Sequence, residues 1–314
     1  QYNDAESAPI IERYNDLSVV EKELEEWVGY YNNEGMRDLF VELPYYTAEY
    51  LNLWMEADND EILDQLFEDI KGTDGCSPQV KAFFKQIKEQ CPKTFFHGTD
   101  VGHQWDTTGA RYLAYLEENG WKDTSEYKLV VDCIEQGKHY YENQDNVYRE
   151  NQMVLNFMRA FDSLEDRNVM GIYGAAHTNV NAMNYTNQVP SMANQLKKRY
   201  GENLTSEDLS DLAKILEPLR MDTITVNGKD YEAAYFGKED MTGFKDYKSR
   251  EFWRLENAYE DFKDCKKVEN VLPYSNYPMH IEEGQIFVIE YTKMDDSVSR
   301  EYHRASGEKW QNEP

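Results

Sequence analysis

Apolar residues recur at three- and four-residue steps near the start of the chain. Leu17, Val20, Leu24, Trp27, Val28 and Tyr31 share one helix face. Ser18 and Glu21 read as a capping box for that helix, and Gly35 stops it. Asp38-Leu-Phe-Val-Glu-Leu43 is a short apolar run closed by Pro44, which suits a strand buried in a parallel sheet. Helical periodicity resumes over Thr47–Ala57 and Asp60–Ile70. Ser77-Pro78 then offers an N-cap and a first-turn proline for a helix reaching Gln90. Lys93–His97 predicts a second strand, followed by Gly98-Thr-Asp100, and helical stretches follow over 106–119, 124–136 and 140–164. Asn168–Tyr173 predicts a third strand leading into Gly174-Ala-Ala-His177. Strands joined by long helical connections imply right-handed crossovers. The fold class is therefore α/β, a mostly parallel sheet flanked by helices.

The texture changes after residue 220. Thr223–Phe236 reads as a hairpin turning at Asn227-Gly228, and Gln285–Lys293 with Val298–Arg304 reads as another. A helix is expected over 249–262. The predicted organisation is an α/β core over 1–220 and an antiparallel β-rich C-terminal extension over 221–314 packed on it.

The chain has 314 residues and a formal net charge of −27, from 33 Lys and Arg against 60 Asp and Glu. Such a surface repels phosphate backbones and anionic lipid, so nucleic acid is not an expected partner. No apolar run approaches the roughly 18–20 residues of a membrane-spanning helix, so no transmembrane segment is expected. A small-molecule substrate or ligand, neutral or cationic, is the expected partner. The first residue is Gln1 rather than Met, and export after removal of a signal peptide is the expectation. Cys76, Cys91, Cys133 and Cys265 form no Cys-x-x-Cys pair; they suit two disulfides in an exported protein or four buried thiols in a cytosolic one.

Candidate chemistry gathers at the strand ends. Glu42 lies at the end of the first strand, Asp100 follows the second and His177 follows the third. In a parallel sheet the carboxyl ends of the strands form the ligand crevice, so two carboxylates and an imidazole would converge there. Such a set performs acid–base chemistry, orients an imidazole or holds a hard metal ion. Arg149, Met153 and Asn156 share a stripe of the 140–164 helix, whose rim would reach the same crevice. Tyr45 with Tyr46, Tyr140 with Tyr141, and Tyr274 with Tyr277 offer binding surface, or ordinary half-buried packing. His97 reads as a packing histidine, and His139, His280 and His303 as surface residues. No Gly-x-Ser-x-Gly elbow, phosphate loop or Gly-x-Gly-x-x-Gly occurs.

These residues resemble a family. Glu42-Leu-Pro-Tyr45 with Ala48, Leu51, Asn52 and Leu53 is similar to the second motif of erythromycin esterase-like proteins. Gly98-Thr-Asp-Val-Gly-His-Gln104 resembles their Gly-x-Asp segment, in a branch with a His-Gln pair. Arg149-Glu150, Met153 and Asn156 resemble their Arg-Asp/Glu-x-x-Met-x-x-Asn helix. Gly174-Ala-Ala-His177 resembles the Gly-x-x-His motif shared with TraB, TIKI and haem-binding ChaN proteins. Order and spacing agree over residues 5–180.

The resemblance implies a hydrolase that activates water against an ester, lactone or amide, without an obligatory metal. Its catalytic group would be Glu6, Glu42, Arg149 and His177, with Asp100, Tyr45 and Asn156 contacting substrate. The family's first motif, Gly-Glu-x-His, corresponds here to Ala5-Glu6-Ser7-Ala8, so Ala8 stands where the water-activating histidine belongs. His103 is the substitute base. Two alternatives stay open: a catalytically degenerate relative that binds a small molecule, and a metal-dependent peptidase. In the latter, Glu6, Glu42, Asp100 and His177 would hold a divalent metal as cofactor, manganese or magnesium rather than zinc.

Overall fold

In the computed structural model the described residues are 2–7, 17–71, 73, 75–76, 78–209, 218–241, 246–266 and 282–309. Ala8, Ser77, Tyr274, Tyr277 and His280 lie outside them. The elements run β1 (Tyr2–Ser7), α1 (Leu17–Asn33), β2 (Asp38–Pro44), α2 (Tyr45–Glu56), α3 (Glu61–Asp69), α4 (Pro78–Gln90) and β3 (Phe95–Asp100). A π-helical turn over Trp105–Gly109 leads to α5 (Ala110–Glu118), α6 (Ser125–Asn143), α7 (Asn146–Asp162), β4 (Met170–Ile172), α8 (Ala175–Thr178) and α9 (Met192–Tyr200). The chain continues through β5 (Arg220–Val226), β6 (Lys229–Asp240), β7 (Tyr247–Leu255), α10 (Tyr259–Phe262), β8 (Ile286–Lys293) and β9 (Val298–Lys309). The chain forms two units. One contains Val20–Ile70 and Gln79–Asp208; the other combines Gln1–Val19, Lys71–Pro78 and Leu209–Pro314.

The first unit holds a three-stranded parallel sheet in the order β3-β2-β4. Leu39, Phe40 and Val41 of the central strand are buried, as expected of a strand covered on both faces. On one side Phe40 packs with Met153, Val154 and Phe157 of α7 and with Met192 and Leu196 of α9. Asn52 of α2 holds β3 through both backbone groups of Phe96, donating to its carbonyl at 3.0 Å and accepting from its amide at 2.8 Å. Phe40 also stacks on His97, at 4.6 Å between ring centroids, and His97 pairs with Asp38 at 2.7 Å. That is the packing role expected of it.

Glycines set how closely the elements beyond β3 approach. A Cβ built on Gly102 would lie 2.3 Å from the Cys133 carbonyl, and one on Gly137 would lie 2.0 Å from the Gly102 carbonyl. Helix α6 therefore lies directly on the backbone that presents His103, and any side chain at either position would push the two apart.

The other unit is built on a six-stranded sheet, β1-β9-β8-β7-β6-β5. From β5 to β9 it is an antiparallel meander; β1 joins the edge of β9 in parallel, Tyr2 opposite Tyr302. The first hairpin turns at Asn227 and Gly228, both with positive φ (52° and 81°), as a two-residue turn between twisted strands requires. Ile224, Tyr231, Trp253 and Val288 belong to one buried face, and Phe236, Phe252, Phe287 and Tyr291 to the other.

Several expectations are corrected. Residues 247–255 form strand β7 instead of the start of a helix; of the predicted 249–262 helix, only Tyr259–Phe262 is helical. Pairing on both edges, with β6 and β8, overrides a local pattern that suited either structure. The 124–136 and 140–164 stretches redivide at Gln144, which is left-handed, and Asp145, whose carboxylate caps α7 through the Tyr148 amide. Helix α1 starts at Leu17, so Ser18 lies inside its first turn instead of ahead of it. His303 is buried, 3.4 Å from Glu301, because the strand that carries it is covered on that face. His139 stays on the surface, against Tyr148. The four cysteines are not joined to one another. Among the described residues no helix is long and apolar enough to cross a membrane.

Candidate active site

The three parallel strands end on one side, and their last residues meet the first turns of α7. Arg149 is the hub. Its Nε donates to Asp100 Oδ1 at 3.0 Å, and its Nη2 donates to Asp100 Oδ2 and Glu42 Oε1, both at 2.7 Å. The other Glu42 oxygen accepts the Gly174 amide at 2.7 Å, which ties the end of β2 to the turn after β4. Asp100 also accepts the Val101 amide at 2.7 Å. Asp100 is 1% exposed, so both its oxygens are committed within the protein.

His177 enters from α8. Its Nδ1 lies 2.7 Å from Glu150 Oε2, and its Nε2 lies 3.5 Å from Glu42 Oε1. Glu150 is itself fixed, accepting the Met192 amide at 2.5 Å. His103 forms a second imidazole–carboxylate pair: Nε2 lies 2.9 Å from Asp100 Oδ2 and Nδ1 lies 2.6 Å from the Tyr141 hydroxyl. The Tyr46 hydroxyl donates to the His103 carbonyl at 2.5 Å. Tyr140 lies under the Arg149 guanidinium, 5.9 Å from ring centroid to Cζ.

The electrostatics follow from this packing. Burial opposes ionisation of Asp100, but Arg149 and His103 outweigh it and hold the carboxyl well below the usual carboxylate range. Burial likewise opposes the charge on Arg149, and Asp100 and Glu42 more than restore it. At His177 burial favours the neutral ring. Glu42 and then Glu150 outweigh it, so the pKa is raised above its ordinary 6.5. The folded protein therefore keeps a proton that the unfolded chain releases near 6.5. This contribution to stability is complete below that pH and is lost as the pH rises through the folded value. Thermal unfolding should show the gap between wild type and His177→Gln narrowing as the pH rises above 6.5; a gap that widens would reverse the sign.

Glu42, Asp100, Arg149, His177 and His103 thus belong to one connected network. Glu6 does not join their sheet, because β1 pairs with β9. The segment matched to the family's first motif lies in an edge strand of the other sheet, and Ala8 follows it outside the described residues. Asn156 is buried and anchors the end of β3, donating to the Thr99 carbonyl at 3.1 Å and to Gln136 at 2.9 Å. Tyr45 is half-buried; burial raises its pKa first, followed by Glu49, Tyr112 and Glu126. Its neighbour Tyr46 supplies the contact to the His103 segment. Glu150 and Tyr141 are the partners that strand-end reasoning missed. The Arg149-Glu150 pair was the available signal for the first, and the Tyr140-Tyr141 pair for the second.

No family model matches the chain, and no curated protein does. Among solved structures it is similar to a mutant erythromycin esterase in its open conformation, with 9% identity and a TM-score of 0.44, covering 95% of this chain and 89% of that one.

Among the described residues no group of three or more His, Cys, Asp and Glu side chains is arranged to hold a metal ion. The carboxylate oxygens that would face such an ion are occupied otherwise. Arg149 bridges Glu42 and Asp100, and its guanidinium supplies the positive charge between them.

Proposed function

We propose that the chain is a hydrolase that activates water against an ester, lactone or amide at the Glu42–Arg149–His177 cluster. The observation that carries this reading is that two imidazole–carboxylate pairs meet one arginine at the ends of three parallel strands, His103–Asp100 directly and His177–Glu150 through Glu42. An imidazole fixed by a carboxylate has a set orientation and a stabilised charged form, which general acid–base catalysis requires. His103, at the more open end, is the base in this scheme, taking the role left vacant by Ala8. His177 holds a proton beside Glu42 and supplies the positive edge or the acid. Arg149 commits Nε and Nη2 to the two carboxylates, and Nη1 is the nitrogen offered to a developing oxyanion.

A panel of activated esters, lactones and amides, assayed with and without chelator, tests the reading. Turnover of at least one class that survives chelation supports it. A folded protein that turns over none of them overturns it in favour of a ligand-binding relative. That second reading draws on the placement of Glu6 in the other sheet. Turnover only with added manganese or magnesium would instead favour the metal-dependent peptidase.

A further inference from the structure

His103 is the proposed base, yet neither of its ring nitrogens is offered to water. Nε2 faces Asp100 Oδ2 at 2.9 Å. That carboxylate is held ionised by Arg149 and the Val101 amide, so it only accepts, and the Nε2 proton is fixed in place. The remaining nitrogen, Nδ1, carries the basic lone pair and is covered by the Tyr141 hydroxyl at 2.6 Å. The His103 side chain is 23% exposed, whereas Tyr141 is 44% exposed. The group presented to solvent by this chain of contacts is the phenol.

Three further contacts hold the arrangement. Tyr46 fixes the His103 carbonyl, the close seat of Gly137 on Gly102 fixes α6 against the His103 backbone, and Tyr140 abuts His103 edge-on, with ring centroids 6.1 Å apart. Nucleophile or acid, base and orienting carboxylate lie in sequence, each within hydrogen-bond reach of the next.

We propose that Tyr141 is a catalytic residue, the group through which protons pass between His103 and the reacting water. The proposal rests on the hydrolytic reading of the site and adds the residue that touches the water. In the first half, the water proton moves to Tyr141 Oη as the water oxygen bonds the acyl carbon and the carbonyl π pair moves onto its oxygen, giving a tetrahedral oxyanion. The phenol proton moves at the same time to His103 Nδ1, leaving an imidazolium beside the ionised Asp100. In the second half the oxyanion pair re-forms the carbonyl, the acyl–oxygen bond breaks and its electron pair stays on the leaving oxygen. Tyr141 protonates that oxygen and is reprotonated by His103. No net charge or proton is gained, and no co-reactant is needed.

The test does not require a known substrate, so its failure is distinguishable from failure of the hydrolytic reading. An arylsulfonyl fluoride probe couples to a phenol whose proton a neighbouring base removes, with loss of fluoride. Tyr141 should be modified well ahead of Tyr30, which is 36% exposed and serves as the internal reference. In His103→Ala and His103→Gln, each checked by circular dichroism, Tyr141 labelling should fall by at least about 10²-fold, the low side of base assistance. Nitrogen-15 spectra of the unmodified protein should show His103 with its proton on Nε2. Tyr141 labelling that matches Tyr30, labelling unchanged by loss of His103, or a proton found on Nδ1 in the neutral ring would each overturn the proposal.

Discussion

Replacing Arg149 with leucine is expected to destabilise the protein by about 3–5 kcal/mol, the penalty of leaving a buried charge without its partner. Asp100 is 1% exposed and takes two of its hydrogen bonds from this guanidinium, and Glu42 takes another. With the cation gone, Asp100 would lose the largest of the influences that hold its pKa down, and the ends of β2 and β3 would lose their common tie. Denaturant unfolding followed by circular dichroism measures the loss. The double variant Arg149→Leu with Asp100→Asn separates charge from packing: it should recover part of the loss, because the uncompensated carboxylate is removed. An Arg149→Leu protein as stable as wild type would show that the network carries no buried charge worth pairing.

His177→Ala should lower hydrolysis of whichever substrate the panel identifies by at least about 10²-fold, within the range general acid–base groups supply. The fold should persist, because His177 sits on a four-residue helix and its removal leaves Glu150 still bonded to the Met192 amide. Glu150→Gln should have a smaller effect on rate. The amide still contacts Nδ1, but the ring loses one of the charges that keep it protonated, so the pH dependence of kcat should move to lower pH. A His177→Ala enzyme with unchanged kcat/KM would remove this imidazole from the chemistry.

The strand ends were legible because two local signals coincide there. Phe40 and Val41 make an apolar run that only a covered strand explains, and Glu42 interrupts it at the position where such strands meet ligands. Arg149 was suggested by its helix stripe together with the Arg-Glu-x-x-Met-x-x-Asn resemblance. Glu150 was harder to read. It follows Arg149 by one residue, about 100° round the helix, and so falls outside the stripe of Arg149, Met153 and Asn156; only His177 and α9 reveal its role. Tyr141 is separated from His103 by an entire helix, and nothing local distinguishes it from Tyr140.

In the C-terminal sheet the Asn227-Gly228 turn declared itself, whereas β7 did not. Its residues Ser249, Phe252, Trp253 and Leu255 suit a helical face as well as an alternating strand, and only the neighbouring strands decide. His303 looked exposed because a charged, aromatic stretch between Glu301 and Arg304 reads as surface. Burial on that face is a property of the sheet. Glu6 was assigned by position in a motif, and strand pairing with a partner some three hundred residues away leaves no local trace.

That pairing also sets a timetable. Strand β1 precedes every element of the β3-β2-β4 unit along the chain, and β9, the neighbour it binds, follows all of them. Until β9 is made, β1 therefore lacks the strand it pairs with. By the time β9 emerges, every residue of the β3-β2-β4 unit has already been made. Translation that stops before β9 would release a chain whose Glu42–Asp100–Arg149–His177 network is fully encoded and whose second sheet lacks the strand that joins β1 to β8, with a bare edge on β8 for other chains to find.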